Sequence, residues 1–133
     1  MYAFSFHKPA TLADASRLFG EADDARYLAG GHTLLPSMKL RLASPSDLID
    51  LSAIAELKGI RIEGDHVVIG AGTRHNDVAM SAEVARAIPA LADLAGMIGD
   101  FQVRNRGTIG GSIANADPAA DYPAAVVGLD ATV

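Results

Sequence analysis

The sequence predicts an α+β fold with a small N-terminal βαβ subdomain and part of a mixed α+β second subdomain. Three observations support this prediction. Residues 25–52 are patterned as strand, helix and strand with short connections, which favours two parallel strands. A hairpin pattern follows at residues 60–69, and short helical segments fill most of the remainder. We place the boundary so that the subdomains are residues 1–55 and 56–133, the second incomplete at its C-terminus.

Composition narrows the class of protein. The chain has 133 residues, of which 50% are hydrophobic and 20% charged, as is typical of a globular domain. A net charge of −5 without a basic cluster argues against a nucleic-acid partner. There is no cysteine, so this chain offers no thiolate ligand to an iron–sulfur cluster. The sequence contains no apolar run of about 18 residues, so no membrane span is predicted. The N-terminus does not resemble a signal peptide, so we expect a cytoplasmic location.

The N-terminal elements follow from periodicity and capping signals. Residues 11–20 predict a helix capped by Thr11, with its apolar residues on one face. Strands are predicted at residues 25–30 and 46–52, with a helix between them at residues 33–42. Because the links are short, the two strands are expected to lie parallel in one sheet.

The second half of the chain predicts a hairpin followed by helices. Turn residues 63–65 separate the apolar strands of the hairpin. Helical segments are predicted at residues 75–80, 81–88, 89–99 and 124–129. Residues 130–133 resemble the opening of a strand, and nothing follows to pair with it. We therefore expect the chain to be an N-terminal fragment of a longer polypeptide.

A first pair of glycines lies at the strand–helix junction in AGGHTLLPSMK, residues 29–39. Gly30 and Gly31 permit close approach of a ligand, and a helix N-terminus carries unsatisfied N–H groups. With the hydroxyl of Thr33, this stretch is a candidate phosphate-binding loop. Taken alone, it is more often a tight turn without a ligand. Its spacing is not G-x-G-x-x-G, so no Rossmann dinucleotide site is indicated.

A second pair lies in RNRGTIGGSIANADPAAD, residues 104–121, where small polar residues are expected to surround open backbone. Asp121 either accepts hydrogen bonds from ribose hydroxyls or caps a helix that begins near Pro123. The four histidines show neither metal-site spacing nor a triad partner. No catalytic residue and no metal site are predicted, and any catalysis would fall to a cofactor.

Together, the two glycine stretches resemble the flavin-binding signatures of the molybdenum hydroxylase FAD-binding (medium) subunits. These are found in carbon monoxide dehydrogenase and in xanthine dehydrogenase-like enzymes. Further similarity in SFHKPATLADA, SPSDLIDL, IGAGTRHNDV and DFQVRNRGTIGG extends the resemblance over nearly the whole chain. It implies a p-cresol methylhydroxylase/vanillyl-alcohol oxidase-type FAD-binding fold, with FAD between the two subdomains.

The resemblance also implies which residues contact FAD. The first loop comprises Ala29, Gly30, Gly31, His32, Thr33 and Leu34, and the second comprises Thr108, Ile109, Gly110, Gly111 and Ser112. Asn115 and Asp121 match further FAD-contacting positions, and Ile98 matches an apolar position near the flavin. Thr33 and Ser112 stand where Ser and Asn are more usual in the family, and each keeps a hydrogen-bonding group.

The function implied by the resemblance is electron transfer through FAD within a molybdenum-containing hydroxylase or dehydrogenase complex. A molybdenum-cofactor large subunit would oxidise the substrate, and an iron–sulfur small subunit would relay electrons to FAD. The absence of cysteine agrees with clusters on another chain. Two alternatives stay open: a flavin oxidase that acts directly on substrate, and a truncated interaction module that holds no cofactor.

Overall fold

The computed structural model describes residues 1–133 and divides into two compact units, Met1–Leu57 and Lys58–Val133. The first unit holds β1 (Ser5–His7), α1 (Leu12–Glu21), β2 (Ala25–Leu28), α2 (Leu34–Lys39) and β3 (Asp47–Asp50). Two short 3-10 turns follow, at Leu51–Ala53 and Ala55–Leu57. The sequence places the subdomain boundary after residue 55, and the structure divides after Leu57.

The strands of the first unit form a parallel sheet in the order β1-β3-β2. β2 and β3 pair directly, so the predicted parallel βαβ unit is confirmed. β1, which is not predicted, pairs with β3 along its whole length of three residues. Three residues are too few to show the alternation of apolar and polar side chains that marks a strand in a sequence. β1 is defined instead by its backbone ladder to β3.

α1 packs on this sheet through small side chains. Ala15, Ala25, Ile49 and Ile54 form the buried core and are at most 3% exposed. Alanine on both surfaces lets the helix and the sheet approach closely. Thr11 caps α1 as predicted, since its hydroxyl accepts a hydrogen bond from the Asp14 N–H at 3.1 Å.

α2 is shorter than the sequence predicts. It ends at Lys39, and Arg41 takes a φ of 60°, outside helical geometry. The Leu42 N–H then donates to the Ser37 carbonyl at 2.9 Å, which closes the helix end. The apolar periodicity continues past this point, so it overestimates the length of the helix.

The second unit begins with a hairpin and continues as helices. Its elements are β4 (Ile60–Glu63), β5 (His66–Ile69), α3 (His75–Ala79), α4 (Ala82–Ala87), α5 (Pro89–Met97), α6 (Phe101–Arg104), α7 (Ile109–Asn115) and α8 (Asp121–Gly128). The hairpin is confirmed, with Glu63 paired to His66 and Gly64 at a φ of 62° in the turn. The core of this unit contains Val78, Val84, Leu91, Ala92, Ala95 and Tyr122.

Three parts of the second unit differ from the sequence prediction. α6 and α7 are not predicted, and α7 contains two glycines, which are poor helix formers. α8 begins three residues earlier than expected. The strand predicted at residues 130–133 is wrong: Asp130 has a φ of 53°, which is not strand geometry, and no strand lies beside it. The longest helix, α1, has ten residues, and none of the helices could span a membrane.

An ion pair ties β1 to β3 in the first unit. His7 Nε2 lies 2.7 Å from Asp47 Oδ1, and the Ser46 hydroxyl donates to Asp47 Oδ2 at 2.7 Å. These hydrogen bonds, the one from His7 foremost, hold the pKa of Asp47 below its ordinary value of 3.8. A carboxyl group with a lowered folded pKa stabilises the fold only while it is ionised.

We therefore expect acid to destabilise the parent chain more than Asp47→Asn. The contribution of Asp47 is fully present above its ordinary pKa and is lost as the pH falls through the lowered folded value. Urea unfolding at about pH 5 and about pH 2 measures the loss for each chain. Equal losses in the two chains would contradict the role assigned to this ion pair.

Candidate functional site

The first glycine stretch, residues 29–34, connects β2 to α2 and is named loop 1. Gly31 has a φ of 76°, in the left-handed region that favours glycine. Its carbonyl accepts a hydrogen bond from the Leu35 N–H at 3.0 Å, which opens the helical turn. A Cβ added to Gly31 would lie 2.8 Å from Leu35 Cδ1. The backbone angle therefore favours glycine here, and a side chain would also displace Leu35.

Loop 1 presents backbone donors that have no acceptor within the chain. The N–H groups of His32, Thr33 and Leu34 make no hydrogen bond, and the Thr33 side chain does not cap α2. His32 and Thr33 are exposed. Consecutive N–H groups beside a left-handed residue form an arrangement that binds anions. Loop 1 therefore fits the phosphate groups of a nucleotide cofactor.

The second glycine stretch, residues 107–112, is named loop 2. It lies against residues 71–75, which we name the strap, with an isolated antiparallel bridge between Arg74 and Thr108. Three backbone hydrogen bonds join the segments: His75 N–H to the Gly107 carbonyl at 3.0 Å, Ile109 N–H to the Thr73 carbonyl at 3.0 Å, and Gly110 N–H to the Ala71 carbonyl at 2.9 Å.

The N–H groups at the start of α7 are consequently all bonded within the chain. Beyond the two bonds to the strap, the Gly111 N–H donates to Thr108 Oγ1 at 3.1 Å. The Ser112 N–H donates to the Thr108 carbonyl at 3.0 Å. The sequence predicts open backbone in this loop, but these four N–H groups are not available to a ligand. Ser112 is half-buried, and its hydroxyl is a side-chain group that loop 2 can offer to a ligand.

Two glycines of loop 2 are required by packing. A Cβ at Gly110 would lie 2.5 Å from Ala71 Cβ and 2.7 Å from the Ala71 carbonyl oxygen. A Cβ at Gly107 would lie 2.5 Å from His75 Nε2. These distances are far shorter than van der Waals contact between heavy atoms. The absence of a side chain at both positions lets the strap and loop 2 meet backbone to backbone.

Thr73 fixes the strap to the start of the hairpin. Its side chain donates to the Gly59 carbonyl at 3.1 Å and accepts from the Gly59 N–H at 3.1 Å. The Gly59 carbonyl also accepts from the Gly70 N–H at 2.9 Å. Thr73 is 3% exposed, so its hydroxyl needs these partners. Through its carbonyl, the same residue holds Ile109.

The last residue of the strap, His75, packs against the buried ring of Tyr122. The His75 ring lies 5.3 Å from the ring of Tyr122, with a tilt of 42°. Tyr122 is 1% exposed, its hydroxyl has no hydrogen-bond partner within the chain, and burial raises its pKa. A hydroxyl with these properties stays protonated at neutral pH.

The other predicted site residues lie elsewhere in the second unit. Ile98 is half-buried at the end of α5, and Arg104 Nη1 donates to its carbonyl at 3.2 Å and to that of Gly99 at 3.1 Å. Asn115 ends α7 and Asp121 begins α8, both exposed. The helix-cap alternative for Asp121 is wrong, because Ala120 is the cap residue and makes no side-chain cap.

The chain matches known proteins over nearly its whole length. Residues 2–133 match the family described as "FAD binding domain in molybdopterin dehydrogenase". The chain belongs to this family. The carbon monoxide dehydrogenase medium chain of Hydrogenophaga pseudoflava is 51% identical over 96% of this chain and 45% of its own length. The xanthine dehydrogenase FAD-binding subunit of Escherichia coli O157:H7 is 35% identical over 88% of this chain and 40% of its own length.

A solved structure agrees with this membership. It is carbon monoxide dehydrogenase from Hydrogenophaga pseudoflava lacking the Mo-pyranopterin moiety of its molybdenum cofactor. The TM-score is 0.93 at 52% identity, covering 95% of this chain and 44% of that one. The predicted family and the p-cresol methylhydroxylase-type α+β fold are confirmed, and FAD is the cofactor of the family. The chain spans slightly less than half the length of these relatives.

Sequence reasoning finds both glycine loops of this FAD-binding domain and misses the strap. Ala71, Thr73 and His75 act mainly through backbone groups or through burial, so their residue types carry little signal. The available hint is the stretch IGAGTRHNDV, which shares in the family resemblance. Its two glycines and its threonine stand at the turn where the strap begins.

Proposed function

We propose that this chain is the FAD-binding part of an electron-transfer subunit in a molybdenum-containing hydroxylase or dehydrogenase complex. The observation that carries the proposal is loop 1, where Gly31 at a φ of 76° precedes three N–H groups without acceptors. A phosphate needs such donors, and the family to which the chain belongs binds FAD.

Each loop would hold the cofactor by a different kind of group. The loop 1 residues Ala29, Gly30, Gly31, His32, Thr33 and Leu34 would bind phosphate, chiefly through the backbone. In loop 2, the Ser112 hydroxyl would donate to the cofactor, while Thr108, Ile109, Gly110 and Gly111 shape the loop that carries it. Asn115 and Asp121 would offer an amide and a carboxylate to hydroxyl groups, and Ile98 an apolar surface to the flavin ring.

This chain's own residues bind and orient the cofactor and perform no acid–base step. When bound, FAD accepts electrons and passes them on. Thr73 and Thr108 hold their hydrogen-bonded loops rigid, and the buried Tyr122 keeps its proton. No cysteine is present to ligate a cluster. Electrons would therefore reach the flavin from an iron–sulfur small subunit, after substrate oxidation on a molybdenum-cofactor large subunit.

The family match and the identity to medium chains of dehydrogenases favour this proposal over a flavin oxidase that acts directly on substrate. The geometry of loop 1, with Gly31 at a positive φ, likewise favours it over an interaction module without cofactor. A cytoplasmic location remains a prediction from the sequence, which fractionation of the producing cells would check.

The test is to purify the full-length protein together with its proposed large and small subunits and to determine the flavin, iron and molybdenum content of the complex. We expect FAD on this subunit, iron and molybdenum on its partners, and flavin bleaching when a reduced substrate is added. Omitting the iron–sulfur subunit should abolish the bleaching if electrons reach FAD only through its clusters; residues 1–133 offer no cysteine ligand for one. Bleaching that persists in the isolated subunit would instead support the direct flavin oxidase.

A further inference from the structure

We infer that the strap, residues 71–75, is the positioning element of loop 2, and that Thr73 is the residue through which it acts. The inference rests on the proposed function, since loop 2 is placed in the FAD site there. It assigns a role to residues outside both glycine loops. It also explains why Gly107 and Gly110 lack a side chain, since an added Cβ would overlap the strap.

The strap accepts hydrogen bonds from two N–H donors of loop 2. The Ile109 and Gly110 N–H groups are bonded to strap carbonyls at 3.0 and 2.9 Å. Each N–H makes one strong hydrogen bond, so neither is left for a phosphate. The strap thus occupies the start of α7 in the way an anion does at other helix N-termini. The orientation of the first turn of α7, and with it the Ser112 side chain, is set by the strap.

Thr73 holds the strap itself in place. Thr73 is anchored on both sides: its side chain makes two hydrogen bonds to Gly59, and its carbonyl accepts from Ile109. The side chain is buried, so water cannot replace these bonds. Loss of the hydroxyl would remove both bonds to Gly59, while the bond from the Thr73 N–H to the Gly70 carbonyl and every loop 2 residue stay unchanged.

The contact between Gly110 and Ala71 leaves no room for a side chain at Gly110. The Gly110 position faces Ala71 so closely that even a methyl group would overlap the Ala71 backbone. Packed contacts of this kind transmit small displacements, because protein interiors are dense and incompressible. A shift of the strap is therefore passed directly to loop 2.

The test uses amide hydrogen exchange on the full-length protein, with and without FAD. In the FAD-free protein we expect Ile109 and Gly110 to be protected already and to change little when FAD is added. The His32, Thr33 and Leu34 amides should be unprotected and become protected by FAD. If Ile109 and Gly110 exchange freely until FAD is bound, the cofactor and not the strap holds loop 2, and the inference is overturned.

Variants of Thr73 supply a second measurement. Thr73→Val keeps the shape and removes the hydroxyl, and we expect about tenfold faster exchange at Ile109 and Gly110 and about tenfold weaker FAD binding. Thr73→Ser restores the hydroxyl and should stay within about twofold of the parent. The control is Ser81→Ala, which removes the cap of α4 in the same unit without touching the strap.

The outcomes separate this inference from the proposed function. If Ser81→Ala weakens FAD binding as much as Thr73→Val does, the effect is general destabilisation and positioning by Thr73 is refuted. If the parent protein takes up no FAD, the proposed function fails, while protection at Ile109 and Gly110 still decides whether the strap holds loop 2. Should Thr73→Val not fold, the exchange pattern of the parent protein alone decides the question.

Discussion

Gly110→Ala is expected to lower the free energy of unfolding by about 3 kcal/mol or more and to abolish FAD binding in the full-length protein. The new methyl group would lie 2.5 Å from Ala71 Cβ, 2.7 Å from the Ala71 oxygen and 2.9 Å from Ala71 Cα. Two of these atoms belong to the backbone, so no side-chain rotation relieves the overlap. The strap and loop 2 must separate, which breaks the Gly110 hydrogen bond. Denaturant unfolding and flavin content measure the two effects.

The matched control for this variant is Gly128→Ala at the end of α8. No atom lies within 4 Å of the position its Cβ would take, and the residue is helical. This variant should be neutral or more stable by up to about 1 kcal/mol, because alanine favours the helix. A second-site Ala71→Gly change should rescue Gly110→Ala only in part, since the backbone overlap remains. Normal stability and flavin content in Gly110→Ala would show that the two segments do not meet as described.

Gly31→Ala is expected to weaken FAD binding by at least about tenfold, with a smaller loss of stability of about 1–2 kcal/mol. At a φ of 76°, alanine is strained whatever space surrounds it, and its Cβ would also approach Leu35 Cδ1. Relief of this strain rotates the backbone and turns the loop 1 N–H groups away from a common point. Fluorescence titration with FAD measures the affinity, and urea unfolding measures the stability.

Gly20→Ala is the control in the same unit, since Gly20 is helical and nothing lies within 4 Å of its added Cβ. It should bind FAD as the parent does and unfold at equal or higher urea concentration. If Gly31→Ala binds FAD as tightly as Gly20→Ala, the backbone of loop 1 is not the phosphate-binding element. The two pairs of variants therefore probe the loops separately.

Local signals predict much of this fold. Thr11 caps α1, Gly64 turns the hairpin, and the apolar period marks α1 and α5, because each depends on residues close in sequence. The limits of prediction have an equally physical cause. β1 is defined only by its ladder to β3, which short-range sequence signals do not show. α7 forms despite its glycines because Thr108 caps it.

In the candidate site, too, local sequence signals predict one part and miss another. Loop 1 is recognisable because a glycine pair at a strand–helix junction has a local conformational meaning, and Gly31 does adopt a positive φ. The strap is not recognisable, since its bridge joins Arg74 to Thr108 through backbone groups distant in sequence. The adjacent pair Gly110 and Gly111 suggests access for a ligand, whereas Gly110 lies against Ala71.

The burial of Tyr122 has a spectroscopic consequence. Residues 1–133 contain no tryptophan, and Tyr122 is the single tyrosine of the second unit, Tyr2 and Tyr27 lying in the first. Its ring is immobilised against His75 in an asymmetric environment, which is the condition for a near-ultraviolet circular dichroism band. Within this part of the protein, that band reports the packing beneath the strap. In the FAD-free protein this band reports the order of the core, and the visible absorption of the flavin then reports cofactor loading in a separate measurement.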